Sequence, residues 1–322
     1  MNKLAVILFN LGGPDKLQAV ELFLYNLFSD PAIIRLPTPL RQLAAHFIAS
    51  KRAKTAMAIY EKIGGRSPIF ENTEAQARAL EHELVDLGTV KCFTCMRYWH
   101  PLTNEVVRAV KEFAPDKIIL LPLYPQFSTT TTGSSFKAWQ DAVRSEELDV
   151  PTREVNYYPD ESGFIKTLAE STRAAYVKAQ NFGTPRLLFS AHGLPEKIVK
   201  SGDPYQFQCE QTAEALAKEL AIENLDWVLC YQSKVGPLTW IGPSAETEIE
   251  RAARDKLPIV IVPIAFVSEH SETLYEIDIL FRNLAAAKGV PYFDRVATVG
   301  TSPAFIAGLS SLVRWALADW HE

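Results

Sequence analysis

The sequence predicts an α/β protein built from parallel sheets with helices on both faces, organised as two domains. Three observations carry this. Short β-branched or leucine-rich runs alternate with longer amphipathic stretches, the βαβα rhythm of parallel sheets. Several of those runs, such as Ile118–Leu121 and Ile259–Val262, are apolar throughout, as strands buried on both faces must be. The length of 322 residues also exceeds a single domain of roughly 100–200 residues.

Taken in order, the apolar run Leu4–Phe9 is the first strand and leads into the glycine turn Asn10–Pro14. Further strands are expected at Lys91–Tyr98, Lys117–Leu123, Arg153–Asn156, Arg186–Ser190, Trp227–Tyr231, Pro258–Val262 and Pro291–Phe293. Helical periodicity fills most of the gaps, at Glu74–Leu87, Asn104–Phe113, Gly163–Ala179, Gln208–Leu220, Ser244–Asp255 and Glu272–Ala287. Pro303–Trp320 closes the chain as another helix. Between Asp141 and Asp160 the rhythm breaks into a charged connection punctuated by Pro151 and Pro159. The domain boundary is placed there, giving halves of 1–150 and 151–302.

Composition narrows the function. A hydrophobic content of 48% with 22% charged residues suffices for two cores. The net charge of −5 argues against nucleic acid, whose phosphates need a basic footprint. Leu4–Phe9 is too short for a signal-peptide core, and no window approaches the ~18 consecutive apolar residues of a membrane span. The expectation is a cytoplasmic protein, with at most weak peripheral contact on the inner face of the membrane. Four scattered cysteines make no disulfide framework. Cys92 and Cys95 read as strand residues on opposite faces rather than as a redox or metal pair.

In open parallel sheets ligands bind beyond the carboxyl ends of the strands. The turn Asn10-Leu11-Gly12-Gly13-Pro14 lacks the spacing of a dinucleotide fingerprint and reads as a tight turn where a ligand can approach the backbone. Seven hydroxyl residues fall within the eight positions Ser128–Ser135, more than helix capping requires, so a polar wall or anion site and a surface turn are equally good readings. His192 ends the fifth strand on the turn Gly193-Leu194-Pro195, where chemistry is expected. His270 follows the seventh strand, and Glu272 and Glu276 stand four apart on one helix face just after it. An imidazole–carboxylate cluster of this kind transfers protons or carries a divalent cation. Trp240, in the loop opened by Gln232–Pro237, suits a large flat ligand or caps the core edge. Arg97-Tyr98 offer a bidentate contact to a carboxylate. Positions 31 to 60 hold Arg35, Arg41, Lys51, Arg52 and Lys54 and no acid. Leu36, Leu40, Leu43, Ala44, Phe47 and Ile48 make an apolar stripe there, suited to an anionic, greasy ligand, to a membrane surface, or to packing.

The strings LFNLGGP, KIGGRSPI, RYWHP, YPQFSTTTTGSS, FSAHGLP, GDPY, QSKVGPLTW and AFVSEHSETLYEID resemble the ferrochelatase family from Leu8 to about Asp278. The resemblance implies two Rossmann-like domains of the class II chelatase kind, a porphyrin cleft, and a C-terminal helix, 303–322, packed back onto the first half. It implies insertion of Fe2+ into protoporphyrin IX to form protohaem, with Fe2+ as substrate and no permanently bound cofactor. His192 and Glu272 match the family's metal-handling and catalytic pair. Arg52, Tyr60 and Ser67 match positions on the propionate side, and Arg97, Tyr98, Trp240, Phe266 and His270 match other porphyrin-binding residues. Glu276 is the candidate proton or metal relay, although Leu280 interrupts the acidic face one turn later. Leu11 stands where some members carry a methionine, and members with a C-terminal iron–sulfur cluster need cysteines that this chain lacks.

Metallation exchanges two pyrrole N–H protons for one cation, so the site needs a base that titrates near neutrality and carboxylates that hold iron loosely. His192 is assigned as the proton acceptor. A non-catalytic haem carrier, a two-lobed solute-binding protein and a chelatase for another metal and tetrapyrrole also fit the residues, the second against the lack of a signal peptide. Nothing in the sequence specifies an oligomeric state.

Overall fold

A computed structural model describes residues 3–318. The chain divides into two compact units, 1–157 with 309–322, and 158–308. The first unit carries strands β1 (Lys3–Asn10), β2 (Thr89–Met96), β3 (Lys117–Pro122) and β4 (Thr152–Glu154). The second carries β5 (Arg186–His192), β6 (Trp227–Gln232), β7 (Ile259–Pro263) and β8 (Phe293–Arg295). Both sheets are wholly parallel, ordered β2-β1-β3-β4 and β6-β5-β7-β8. The same topology is therefore used twice in a chain with no evident internal sequence repeat.

The helices are α1 (Val20–Phe28), α2 (Thr38–Lys62), α3 (Ile69–Glu83), α4 (Thr103–Phe113), α5 (Thr132–Ser145), α6 (Ser162–Ala179), α7 (Glu196–Lys200), α8 (Tyr205–Leu220) and α9 (Ala245–Asp255). A π-helix (Glu272–Phe281), α10 (Arg282–Ala287) and α11 (Pro303–Ala318) complete the chain. Among the described residues, no helix is long and apolar enough to cross a membrane. The last two positions of the helix expected at Pro303–Trp320 lie outside the described residues.

The central strands are buried on both faces because helices cover each sheet. In the first unit Ile7, Phe9, Ile118 and Leu120 pack with Val107 and Val110 of α4 and with Phe136 and Trp139 of α5. In the second, Leu188, Ile259 and Ile261 pack with Ile249 and Ala252 of α9 and with Ile277 and Phe281 of the π-helix. Burying an Ile or Leu side chain contributes about 1.5–3 kcal/mol, so these faces hold the sheets' shape.

Three expectations need adjusting. The strand expected at Arg153–Asn156 is β4, which pairs with β3 in the first sheet, so the units change at 157/158 rather than at 150/151. The helix expected at Glu272–Ala287 is π-helical over its first ten residues. Helix α2 packs through Ala45, Ala49, Ala53 and Tyr60, leaving Leu40, Leu43 and Phe47 exposed, as is Leu36 just before the helix. Small alanines let that face approach α1 closely, which the larger apolar stripe cannot do.

In the second unit, a Cβ on Gly163 would lie 2.0 Å from the Ala304 carbonyl oxygen. Gly163→Ala should therefore lower the unfolding free energy by about 1–3 kcal/mol, read as a lower denaturant midpoint with an unchanged slope. An unchanged midpoint would show that α6 and α11 can separate without cost.

Candidate active site

In each sheet the chain steps to one side of its first strand and then to the other. That puts a crevice beyond the carboxyl ends of β5 and β7, where open α/β sheets bind ligands. His192 is the last residue of β5, and the loop after β7 runs through Phe266 and His270 into the π-helix. His192 Nδ1 lies 2.7 Å from Glu272 Oε2. A carboxylate can only accept, so Nδ1 carries the hydrogen, and in the neutral imidazole Nε2 keeps its lone pair. His192 remains 38% exposed at its side chain.

The end of β6 supplies the groups behind this pair. Ser190 donates to Gln232 Oε1, which turns Gln232 Nε2 towards the π-helix, where it donates to the Glu272 carbonyl and to Glu276 Oε2. Ser233 adopts a positive φ of 64°, strained for a residue with a side chain, and its backbone N–H donates to Glu276 Oε1 at 2.8 Å. Ser233 Oγ meets both Glu272 Oε2, at 3.0 Å, and Glu276 Oε2. One hydroxyl hydrogen serves one of these acceptors. Both contacts become hydrogen bonds when Glu276 is protonated and donates to Ser233, which donates to Glu272. A continuous chain then runs His192–Glu272–Ser233–Glu276.

The charges divide accordingly. Burial pushes the Glu272 carboxyl up, but the His192 charge, the bond between them, His270 and Ser233 outweigh it and bring it to about 2. Burial pushes His192 down, yet the Glu272 carboxylate, their bond and Glu276 raise it above the ordinary histidine value. Burial and the neighbouring Glu272 charge raise Glu276. Burial lowers His270 despite Glu272 and Glu269 nearby, so its imidazole stays neutral. Groups of one type are thus shifted in opposite directions, Glu272 down and Glu276 up, His192 up and His270 down, the arrangement that acid–base chemistry uses.

Around this cluster, the His270 ring meets Phe266 edge-on at 4.6 Å, and its Nδ1 is buried without a hydrogen-bond partner. Trp240 packs on Gly193, where a Cβ would come within 3.1 Å of the indole and 3.0 Å of the Gln232 carbonyl oxygen. Gly193 therefore has to be glycine for the Trp240 loop to close on the His192 turn. The Trp240 Nε1 is likewise buried and unpartnered. Among the described residues no group of three or more His, Cys, Asp or Glu side chains is gathered to hold a metal ion.

The remaining sequence candidates lie in the first unit. Arg97 is already engaged: Nη2 pairs with Asp30 at 2.9 Å and Nε donates to Ser134. The carboxylate that Arg97 meets is thus the protein's own. Tyr98 is 1% exposed and its hydroxyl donates to Asp30, so its ring belongs to the packed core. Ser134 also donates to Asp30. Within the hydroxyl run Ser128, Thr130, Thr132, Ser134 and Ser135 are all buried, which decides against a surface turn. Tyr60 and Ser67 are buried, whereas Arg52 is exposed beside the Phe28 ring. Arg41 is not a free cation, because it donates to the carbonyls of Ser29 and Leu36 and to Thr38. The Gly12-Gly13 turn is used for close packing, against Met96, Trp99 and Ser67. His100 is exposed and paired with Glu105. Gln232, Ser233, Ser190 and Asp30 were not picked out by sequence. The signal for Gln232 and Ser233 was their place at the end of β6 and directly after it; a buried Asp30 leaves none.

The chain thus carries two similar parallel sheets, with a histidine and carboxylates beyond the strand ends of the second. The fold matches that of SirB from Bacillus subtilis, solved with Fe3+, with a TM-score of 0.59 over 99% of this chain and 97% of that one at 12% identity. The ferrochelatase family model matches residues 3–317. The curated ferrochelatase of Wolbachia sp. subsp. Drosophila simulans (strain wRi) is 52% identical over 312 residues, covering 96% of this chain and 98% of that one. That of Caulobacter vibrioides (strain NA1000 / CB15N) is 52% identical over 315 residues, covering 97% and 90%. The chain belongs to the ferrochelatase family.

The ion pair has a pH signature. Glu272 is depressed, so its contribution to stability is full above the ordinary carboxyl value of about 4.3 and lost as pH falls through about 2. His192 is raised, so its contribution is full below about 6.5 and lost as pH rises through its folded value. The melting-temperature difference between the wild type and His192→Ala should be widest between about pH 4.5 and 6.5 and narrow on both sides. A difference that stays flat from acid to alkaline pH would show that the contact is not ionic.

Proposed function

We propose that the strand-end cluster of the second unit is where the family's reaction takes place, with His192 as proton acceptor and Glu272 as its partner and iron-handling carboxylate. The reaction is insertion of ferrous iron into protoporphyrin IX, the last step of haem synthesis: Fe2+ enters and two pyrrole protons leave. One observation carries the assignment. The 2.7 Å contact from His192 Nδ1 to an ionised Glu272 leaves Nε2 as a base and stabilises the imidazolium formed when it takes a proton. The second proton has a route through Glu272 and Ser233 to Glu276, whose raised carboxyl readily accepts one.

The flanking aromatic residues support a flat, apolar substrate. Phe266 meets the His270 ring and Trp240 packs on Gly193 beside His192, and the buried nitrogens of Trp240 and His270 have no hydrogen-bond partner. Arg52 is the best cation for a propionate, since it is exposed and its stretch contains no acid. The exposed Leu36, Leu40, Leu43 and Phe47 offer an apolar surface beside it. We assign to that surface no more than weak, salt-sensitive contact with a bilayer, because a surface cation is worth about 1 kcal/mol towards anionic lipid. The reaction needs no resident cofactor or iron–sulfur cluster in this reading. Its support is that all four cysteines are buried with thiols pushed up, Cys95 to about 12, and a protonated thiol is a poor ligand.

Anaerobic incubation with Fe2+ and protoporphyrin should quench free-porphyrin fluorescence as haem forms. His192→Ala should abolish the quenching while porphyrin affinity stays within about tenfold, because accepting a proton is a transition-state role. Near-normal turnover would remove His192 from the mechanism. Glu272→Gln should lower kcat far more than Glu276→Gln, since Glu272 alone touches His192; equal losses would mean that the two carboxylates act as one unit. Arg52→Ala should raise KM for the dicarboxylate porphyrin, hardly change it for the dimethyl ester, and leave vesicle sedimentation unchanged. Unaltered KM values together with lost vesicle binding would make Arg52 a membrane residue instead.

A further inference from the structure

Behind the π-helix lies an ionic network that the mechanism does not use. Arg295, at the end of β8, has a side chain only 10% exposed. Its Nη1 reaches both oxygens of Glu269, at 2.9 and 3.1 Å, and its Nε donates to Asp278 Oδ2 at 2.8 Å. The Thr298 backbone N–H donates to Glu269 as well, and Arg282 closes on the other oxygen of Asp278 and on the Phe293 carbonyl. Glu269 immediately precedes His270, and Asp278 follows Glu276 by two residues. One guanidinium therefore grips both ends of the segment that carries His270, Glu272 and Glu276.

The gripped segment is also the least ordinary backbone in the unit. A ten-residue π-helix is rare, since i→i+5 bonding widens the turn at the expense of packing along the axis. If it tightened to α geometry with Asp278 and the buried Ile277 and Phe281 held in place, Glu272 would swing about the helix axis away from His192. The fork geometry of arginine suits this task, because its nitrogens sit in one plane at fixed angles and can face two carboxylates at once. Register β7–β8 pairs Ile261 with Arg295, so the grip is anchored to the sheet edge beside the strand that leads into the site.

We infer that Arg295 is a positioning residue for metal insertion: it holds the π-helical register that presents Glu272 to His192, without touching either substrate. This rests on the assignment of His192 and Glu272 as the reacting pair. Arg295→Met keeps apolar bulk and removes the fork, and Arg295→Lys keeps the charge but serves one carboxylate at a time. A triple variant, R295M/E269Q/D278N, removes the fork and both carboxylates it grips; the network charge that remains, Arg282, is 44% exposed and so not left buried without a partner. Each would be measured for melting temperature, porphyrin affinity by fluorescence titration, and kcat and KM for Fe2+ and protoporphyrin, with Glu272→Gln alongside.

R295M and the triple variant should lose about a hundredfold in kcat, with porphyrin affinity within about threefold, and R295K should recover part of the loss. A role in folding alone would instead scale kcat with the porphyrin-binding fraction and leave the turnover of that fraction intact. That result, or a folded R295M with kcat within twofold of wild type, overturns the inference. Should R295M fail to fold, the triple variant decides by the same criteria. If Glu272→Gln is inactive while the network variants turn over normally, only the role of Arg295 falls. If Glu272→Gln turns over normally, the reacting pair is misassigned and the inference falls with it.

Discussion

Two carboxylates four residues apart on one packed face are the constraint around which the second unit is arranged. On an exposed helix such a pair costs a few tenths of a kcal/mol, but Glu272 is 23% exposed and has a sheet behind it. Its charge is tolerable because His192 and Ser233 hydrogen-bond it, and Glu276 escapes repulsion by being drawn towards its protonated form. The positive φ of Ser233, the fixed orientation of Gln232 and the bare Cα of Gly193 are local costs accepted to supply those partners. The proposed chemistry rests on the same compensation: a histidine raised by one carboxylate, beside a second carboxyl shifted up, would take two protons away from one substrate.

The first unit handles charge by a different route. Asp30 is buried, and Arg97, Tyr98 and Ser134 all converge on it. The polar groups of that cluster pair with one another, whereas the cluster around His192 leaves one imidazole nitrogen without a protein partner. Identical strand orders thus carry two different polar clusters. The difference is set by which side chains stand at the strand ends, since the sheets themselves are built alike.

Much of this was legible in the residues. All eight strands fall within a few positions of where the sequence places them; the central ones leave an uninterrupted apolar signature because both faces are buried, whereas the short edge strands β4 and β8 are charged and partly exposed. His192 stood out as a polar residue at the mouth of such a strand, and Glu272 and Glu276 as a repeated acid at helical spacing. The α2 stripe misled for a physical reason. Its leucines and phenylalanine have the period of a packed face, but its alanines permit closer approach and take the buried side. Arg97 and Arg41 counted as available cations by composition, yet each is bound to its own chain.

The sequence by itself determined the fold class, the strand positions and the residue types at the strand-end mouth, because these depend on periodicity and on chemistry carried by single side chains. Only the tertiary structure decided which nitrogen of His192 faces Glu272, in which direction each carboxyl is shifted, and that residues 272–281 wind as a π-helix. Those properties arise from contacts between positions 40 to 80 residues apart, such as Ser233 with Glu276 or His192 with Glu272. A protonation state is the balance of burial against partners at that range, and no local pattern encodes it.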